Sequence, residues 1–180
     1  MIKQIYQIFY DKLPNTLNDI LPVYDRCKLV TCLNPYYLVK LTPIDYSLYE
    51  NFDYIPSDGM GPIKLNKYCG HQKSIRLSFD LSAMAGPVFR DMISHNESMY
   101  VLGAKPGEVD KSVQTIKQNF EGIKIAGFHH GYINDSKQQI IEEIKMSGAK
   151  VVIIGMGAPM QDEMAVLLKN SGYIGSVYTC

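Results

Sequence analysis

Strand-like and helix-like patterns alternate along the last two thirds of this 180-residue chain, and this alternation constrains the fold more than any other feature. The strand-like segments are short apolar runs at residues 99–102, 123–126, 151–154 and 174–178. The helix-like segments are residues 107–119, 136–147 and 159–170. Strands that alternate with helices form βαβ units with right-handed crossovers. The pattern therefore predicts an α/β fold with a mostly parallel sheet and helices on both faces.

The first third of the chain is less regular. Its segments predict a strand at residues 28–33, a helix at 35–46, a short extended stretch at 54–57 and an amphipathic helix at 81–94. The first 25 residues contain two prolines and fit a hairpin, a helix or a mobile arm. Because no repeat or linker divides the chain, we expect one domain over residues 1–180, with residues 1–25 unassigned.

Composition argues against several classes of protein. The 18 basic and 18 acidic residues leave no net charge, which argues against binding to nucleic acid. No apolar run reaches the ~18 residues of a transmembrane helix, and the N-terminus lacks a signal peptide's apolar core, so we expect a cytoplasmic protein. Cys27, Cys32, Cys69 and Cys180 have no zinc-like spacing and are interpreted as reduced thiols. The oligomeric state stays open, a homo-oligomer included.

The segment from Val151 to Glu163 joins a buried strand to a helix through a glycine turn. Gly155 and Gly157 allow the backbone to turn sharply and to approach a ligand closely. Pro159 suits the first turn of the following helix, whose N–H groups and positive dipole end can hold an anion. The alternative is a tight turn that serves packing alone.

Polar and small residues also follow the other predicted strands. In an open α/β sheet the ligand lies beyond the carboxyl ends of the strands, so these residues are expected at one rim. They are Asn34, Asp58 and Gly59, then residues 102–104, 127–132 and 155–161. A carboxylate, amides, glycines and an aromatic ring at one rim suit a nucleotide together with a polar second substrate.

Six segments resemble, in order and spacing, a known family of bacterial enzymes. They are residues 31–35, 57–59, 76–80, 101–103, 125–132 and 155–161. Together the strings Gly-Phe-His-His-Gly-Tyr and Gly-x-Gly-x-Pro-x-Gln are specific for the WecG/TagA/CpsF family of N-acetylmannosaminyltransferase-like glycosyltransferases (glycosyltransferase family 26). The resemblance covers roughly residues 28–180. It implies a Rossmann-like enzyme that moves a sugar, with inversion and without a metal or other cofactor, from a UDP donor to a polyprenyl-diphosphate-linked sugar. The pathway class is synthesis of a cell-surface polysaccharide such as capsule, exopolysaccharide or teichoic acid, at the inner face of the membrane.

The resemblance assigns catalytic roles to three residues. Asp58 matches the family's proposed general base, which the reaction needs because the attacking sugar hydroxyl must lose a proton. Arg76 matches an arginine that stabilises the leaving diphosphate, a task for which the guanidinium fork is suited. Gln161 matches a glutamine that hydrogen-bonds diphosphate or sugar. Without the resemblance, Asp58 and Gly59 would be interpreted as a turn and Arg76 as a surface residue.

The resemblance also implies substrate contacts. Asn34 matches a substrate-contacting asparagine, and either Thr31 or Cys32 matches a family threonine. Glycines and a proline at the strand ends shape the ligand site: Gly103, Gly127, Gly131, Gly155, Gly157 and Pro159. Phe128 or Tyr132 is available to stack on the uracil base. Ala104, Met160 and Asp162 depart from the residues common in the family, which could change the donor preference.

The adjacent residues His129 and His130 invite a metal-site interpretation. Neighbouring side chains on an extended segment point to opposite sides, so we expect them not to chelate one ion. The chain also lacks an Asp-x-Asp pair, which many nucleotide-sugar transferases use to hold a divalent cation. We therefore predict no metal, and charge neutralisation by Arg76, helix N-termini and backbone amides.

Two interpretations of function remain at this point. The first is the glycosyltransferase, and the second is a non-catalytic nucleotide-binding α/β module that partners such an enzyme. The presence of Asp58, Arg76 and Gln161 together favours the enzyme, because a binding module has no need of the base. Family members continue past the strand that ends near Cys180, so we expect slow transfer and weak membrane association from these 180 residues alone.

Overall fold

A computed structural model of the chain describes residues 2–33, 46–68, 75–133 and 136–180, and its centre is a five-stranded sheet. The strands are β1 (Cys27–Val30), β2 (Ser98–Gly103), β3 (Lys124–His129), β4 (Val151–Gly155) and β5 (Gly175–Thr179). They lie in the order β1-β5-β4-β2-β3, and every neighbouring pair is parallel. The predicted α/β fold with a parallel sheet is confirmed.

Helices cover both faces of this sheet. They are α1 (Ile2–Asp11), α2 (Tyr46–Tyr49), α3 (Met60–Tyr68), α4 (Ala85–Ser94), α5 (Glu108–Asn119), α6 (Lys137–Met146), α7 (Met160–Asn170) and a short 3₁₀ helix (Leu17–Ile20). Buried side chains of α1, α2, α6 and α7 form the core on one face, and those of the 3₁₀ helix, α4 and α5 form the core on the other. No helix in these described segments is long and apolar enough to span a membrane.

Alternation along the strands explains why both cores form. In β2, Tyr100 and Leu102 point into the α6–α7 core, whereas Met99 and Val101 point into the α4–α5 core. The residues of β4 divide in the same way, and its first four residues, 151–154, are all buried. A strand covered on both faces must be apolar throughout, which is the pattern that the sequence shows.

Several predicted boundaries shift, for local reasons. The helix expected at residues 81–94 begins only at Ala85, because the Asp80 carboxylate accepts hydrogen bonds from the Ser82 backbone and hydroxyl and folds residues 81–84 into turns. The strand expected at residues 28–33 ends at Val30. Of the alternatives for the N-terminus, residues 2–11 form a helix. The helix expected at residues 35–46 falls almost wholly outside the described residues.

Candidate active site

The sheet has one topological switch point, between β2 and β4. From β2 the chain passes to β3 on one side and then to β4 on the other side, so the carboxyl ends of β2 and β4 form a crevice where ligands bind in open α/β sheets. A cavity of about 440 Å³ opens there, which we call the switch-point cavity. Its lining includes Ala104, Lys105, Gly131, Tyr132, Gly155 and Met156. This volume lies in the usual range for small-molecule sites.

The backbones of β2 and β4 approach each other closely beside the switch-point cavity. Gly103 has φ 155°, and a Cβ atom there would lie 2.3 Å from the Gly155 carbonyl oxygen. The N–H of Ala104 donates to the same oxygen at 3.1 Å, and the N–H of Gly131 donates to the Ala104 oxygen at 3.0 Å. The structure therefore brings the predicted residues Gly103, Gly131 and Gly155 together, and the contact between β2 and β4 requires a glycine at position 103.

The side chains around this cavity are few and mostly at its rim. Tyr132 lines the cavity and remains 63% exposed. Lys105 and Glu108 supply one cation and one carboxylate, and Glu108 Oε2 accepts a long hydrogen bond (3.4 Å) from the Lys105 N–H. Phe128 lies within β3 and is partly exposed. Gly127 lies lower in β3, where its missing side chain accommodates the ring of Tyr100.

A second cavity, of about 450 Å³, lies at the same edge beyond β1 and β5. We call it the carboxylate cavity, because two aspartates face it. Its lining includes Cys32, Asp58, Ser78, Asp80, Gln161 and Cys180. These residues come from five separate parts of the chain. The described side chains put two carboxylates here, so an anionic ligand would require a cation from nearby.

Asp58 reaches this cavity through an extended segment that lies beside the end of β1. The Leu33 N–H donates to the Pro56 oxygen at 2.8 Å, and the Asp58 N–H donates back to the Leu33 oxygen at 2.8 Å. On the other side, Ser57 pairs with Arg76 in an isolated parallel bridge. The hydroxyl of Ser78 donates to Asp58 Oδ1 at 2.5 Å and so orients the carboxylate. The extended stretch predicted at residues 54–57 thus carries the candidate base.

Arg76 does not line the carboxylate cavity, but it forms an ion pair with Asp80, which does. Its Nη2 atom is 3.6 Å from Asp80 Oδ2, and the side chain is 47% exposed. Hydrogen bonds from Ser82, with a smaller contribution from Arg76, lower the pKa of Asp80 below its ordinary value. An exposed ion pair of this length holds its partners weakly. Arg76 can therefore leave Asp80 for a ligand phosphate without a large loss of stability.

Gln161 is buried against the glycine turn. Its Oε1 atom accepts a hydrogen bond from the Gly157 N–H at 2.9 Å, which fixes the turn beside the cavity. Pro159 directly precedes α7, one residue outside the helix in whose first turn the sequence predicts it. The first-turn N–H groups of residues 161, 162 and 163 already donate to the carbonyls of Gly157 and Pro159. The expectation that the N–H groups of this helix end would stay free for an anion is therefore wrong for these three.

The residues expected near position 31 separate in space. The hydroxyl of Thr31 points away from the cavity and donates to Asp162 Oδ1 at 2.9 Å in the buried interior. Cys32 lines the cavity, and burial raises the pKa of its thiol. Desolvation of the thiol also raises the pKa of Cys180 to about 11, although the residue as a whole is exposed, so both thiols are protonated at neutral pH. Asn34 lies outside the described residues.

The two adjacent histidines differ from expectation. Their ring centroids are only 4.2 Å apart, so the rings do not point to opposite sides. The reason is that His129 ends β3 and His130 begins the loop, where strand alternation no longer applies. His129 Nδ1 lies 2.8 Å from the His130 carbonyl oxygen. Within the described part of the chain, no group of three His, Cys, Asp or Glu side chains is arranged to hold a metal ion.

Several residues of the site were not assigned a role from the sequence, Lys105 and Glu108 among them, and Asp162 was noted only as a departure from the family. Ser78 and Asp80 lie in the same short motif as Arg76, and that motif is the only signal that could have found them. Cys180 reaches the cavity because β1 and β5 are neighbours, which no local pattern reveals. Asp162 is fully buried behind the cavity, and only its position next to Gln161 marks it.

Comparison with known proteins gives a consistent result. The model of the glycosyl transferase WecG/TagA/CpsF family matches residues 3–177. A UDP-Gal:α-D-GlcNAc-diphosphoundecaprenol β-1,4-galactosyltransferase of Shigella boydii is 31% identical over 84% of this chain. N-acetylglucosaminyldiphosphoundecaprenol N-acetyl-β-D-mannosaminyltransferases of Bacillus spizizenii and Staphylococcus aureus are 25% identical over 61% and 68% of it. The matched region spans 64%, 42% and 47% of the lengths of these three relatives.

Proposed function

This chain belongs to the WecG/TagA/CpsF family of glycosyltransferases, and from this premise we propose that it transfers a hexosyl group from a UDP donor to polyprenyl-diphosphate-linked N-acetylglucosamine. The transferred sugar is N-acetylmannosamine or a related hexose, and the product enters a cell-surface polysaccharide. The observation that carries the proposal is that one glycine turn, residues 155–161, borders both cavities.

The shared turn gives the two substrates adjacent positions. Gly155 and Met156 line the switch-point cavity, whereas Gly157 and Gln161 line the carboxylate cavity. A nucleotide in the switch-point cavity has Tyr132 available for its base and the turn beside its diphosphate. The donor sugar then extends across the turn toward Asp58, where the acceptor hydroxyl meets it.

At Asp58 the reaction is a single displacement. The acceptor oxygen forms a bond to the anomeric carbon while the bond from that carbon to the UDP oxygen breaks, so the configuration inverts. The hydroxyl proton goes to the Asp58 carboxylate, and UDP leaves with the bonding electron pair. Ser78 holds the carboxylate in place by its hydrogen bond, which supports a role as general base.

Charge on the departing diphosphate is neutralised by protein groups in this proposal. Arg76 is the cation nearest the carboxylate cavity among its described neighbours, and its weak ion pair with Asp80 leaves the guanidinium able to turn toward a phosphate. Lys105 offers a second positive charge on the nucleotide side. Together they support transfer without a metal ion.

A direct test measures product formation with defined substrates. The wild-type chain is incubated with a water-soluble N-acetylglucosaminyl-diphospho-lipid analogue and with UDP-N-acetylmannosamine or UDP-galactose, the second because a relative's name specifies it. We expect a disaccharide-diphospho-lipid of inverted configuration, with the same rate in EDTA and in magnesium. Nucleotide binding without product from any UDP-hexose would instead support the non-catalytic module. Loss of activity in EDTA that returns with magnesium would contradict metal independence.

We further propose that the protein works at the membrane surface, where a polyprenyl-linked acceptor is anchored. The outer face of α3, which begins two residues after Asp58, exposes Met60, Lys64, Lys67 and Tyr68, whereas Ile63 and Asn66 are buried on its inner face. Two lysines with an exposed aromatic and a methionine suit an anionic lipid surface. Each lysine near such a surface contributes about 1 kcal/mol of attraction.

Vesicle binding tests this orientation. The double variant Lys64→Glu and Lys67→Glu should lose most of its sedimentation with phosphatidylglycerol vesicles, yet keep its rate on the water-soluble acceptor. The matched control is Lys111→Glu with Lys117→Glu on α5, which makes the same charge change on another exposed helix face. Equal loss in both variants would mean that overall charge, and not this face, governs binding.

A further inference from the structure

A buried polar cluster lies directly behind the carboxylate cavity. Asp162 is completely buried, and its Oδ1 atom accepts hydrogen bonds from the hydroxyls of Thr31 and Thr179, both at 2.9 Å. Its Oδ2 atom accepts a hydrogen bond from the Tyr49 hydroxyl at 3.1 Å. The two threonine hydroxyls also lie 2.7 Å from each other. The cluster therefore joins α2, α7 and the carboxyl ends of β1 and β5.

The cluster adjoins the carboxylate cavity at the carboxyl ends of β1 and β5. The hydroxyls of Thr31 and Thr179 bond to Asp162 on α7, whereas their neighbours Cys32 and Cys180 line the cavity. Thr179 lines the cavity as well and so belongs to both. Asp162 stands next to Gln161 on α7, and the Gln161 side chain holds the Gly157 N–H. A fixed Asp162 thus fixes the wall of the cavity that faces Asp58.

Burial of a carboxylate is unfavourable unless hydrogen bonds compensate. Here three hydroxyl donors from three different elements converge on one side chain. If the carboxylate is removed, the acceptor that these hydroxyls share is lost, although Thr179 can still donate to the Thr31 hydroxyl. The strand ends and α7 are then no longer held together by Asp162. Such a convergence defines the position of α7 more narrowly than apolar packing alone does.

We propose that Asp162, with Thr31 and Thr179, is a positioning residue that holds the first turn of α7, and with it Gln161 and Gly157, against the carboxylate cavity. The proposal rests on the proposed transfer reaction and deepens it. It also gives Thr31 a role in the buried cluster in place of the substrate contact expected from sequence. Asp162 acts through geometry, as an acceptor of hydrogen bonds, and touches no substrate.

Two substitutions at Asp162 separate geometry from charge. Asp162→Ala removes the acceptor, so the Gly157 N–H should exchange with solvent about tenfold faster, the equivalent of one weakened hydrogen bond. Turnover should fall about tenfold or more, because displaced groups no longer meet the reacting atoms. Asp162→Asn keeps an oxygen for the two threonines and an amide for the Tyr49 oxygen. Its Gly157 exchange rate and its turnover should therefore stay close to those of the wild type. An asparagine variant as impaired as the alanine variant would overturn the geometric role.

A kinetic split and a stability control complete the test. The KM for the UDP donor should change less than about threefold in Asp162→Ala while kcat falls, since the nucleotide sits in the other cavity. Leu168→Ala, a fully buried position on the same helix, should lower the unfolding temperature at least as much yet leave Gly157 exchange and kcat near wild type. If Leu168→Ala impairs turnover per folded molecule equally, Asp162 serves stability only.

Failure of this inference is distinguishable from failure of the proposed function. Amide exchange at Gly157 needs no substrate, so it reports on positioning even if the wild-type chain transfers no sugar. A wild-type chain without product refutes the transfer reaction. A chain with product, in which Asp162→Ala changes neither exchange nor kcat, refutes the positioning role.

Discussion

The two cavities lie side by side at one edge of the sheet, yet they are built in different ways. The switch-point cavity lies at the ends of β2, β3 and β4, which follow one another in sequence, and Gly131 and Gly155 line it together with larger side chains such as those of Lys105 and Tyr132. The carboxylate cavity is formed by side chains from five parts of the chain, of which Cys32 and Cys180 are the most distant. Topology alone places the first, whereas the second depends on how irregular segments pack together.

We expect the two cavities to have different roles in the proposed reaction. A site at closely packed, glycine-bearing strand ends tolerates few changes of volume. A site lined by an aspartate, a serine and a glutamine can perform proton transfer, and it depends on each of those groups. We therefore expect substitutions in the carboxylate cavity to affect turnover, and substitutions in the switch-point cavity to affect nucleotide binding and stability.

The largest expected effect is that of Asp58→Asn. The amide keeps the size of the carboxylate but cannot take the hydroxyl proton, so transfer should fall by about 10²–10⁴-fold. UDP affinity, measured by calorimetry, should stay within a factor of about two because the proposed nucleotide site is the switch-point cavity. Near wild-type turnover would show that Asp58 is not the base. It would also contradict the expectation that substitutions in the carboxylate cavity affect turnover.

Arg76→Lys should have the next largest effect. A lysine keeps the charge but cannot form the bidentate contact of a guanidinium with a phosphate, so kcat should fall by about 10–100-fold. The free energy of unfolding should hardly change, since the ion pair with Asp80 is exposed. A lysine variant with unchanged kinetics would show that Arg76 is an ordinary surface residue.

Gly103→Ala tests the switch-point cavity. The new Cβ would lie 2.3 Å from a backbone oxygen that cannot move independently, so we expect the free energy of unfolding to fall by about 1–3 kcal/mol and UDP binding to weaken. Gly148→Ala is the matched control, because Gly148 also has positive φ but nothing within 4 Å of the position that a Cβ would take. Thermal denaturation and calorimetry of both variants measure the difference. Equal UDP affinity in the two alanine variants would separate this glycine contact from the nucleotide site.

The smallest effect is expected for Tyr132→Ala. Loss of a stacking partner at a partly exposed site costs about 1 kcal/mol, or roughly a fivefold loss of UDP affinity. Phe128→Ala should have little effect, because Phe128 lies within β3 and Tyr132 lines the cavity. The reverse result would assign the stacking role to Phe128.

The sequence predicted the regular part of this molecule well, for physical reasons. Strands buried on both faces have continuous apolar runs, and the helices that cover them have one apolar side, so both kinds of pattern are local. The boundary error at α4 arose because Asp80 caps a turn within an otherwise helical pattern. The helix α3 gave no clear signal, because its exposed face mixes methionine and tyrosine with lysines.

The sequence predicted the site less completely. The glycines near Gly103 and Gly155, and the presence of Asp58 at the same rim, could be found from strand ends and sheet topology, whereas the role of Asp58 as the base was assigned only by resemblance to a family. Its hydrogen bond with Ser78 joins residues twenty positions apart beside the isolated bridge between Ser57 and Arg76, which no periodicity encodes. The role of Thr31 also depends on a pairing with Asp162 that is 131 residues away along the chain.

The glycine turn between the cavities has a consequence for the affinities of ligands that bind on its two sides. Met156 lines the switch-point cavity and Gly157 lines the carboxylate cavity. A donor in the switch-point cavity that displaces the turn must therefore alter the carboxylate cavity as well. Thermodynamic linkage requires the reverse effect to be of equal size, so the acceptor changes donor affinity by the same factor. In the proposed reaction, the donor and the acceptor would then be coupled energetically through a few backbone atoms of this turn.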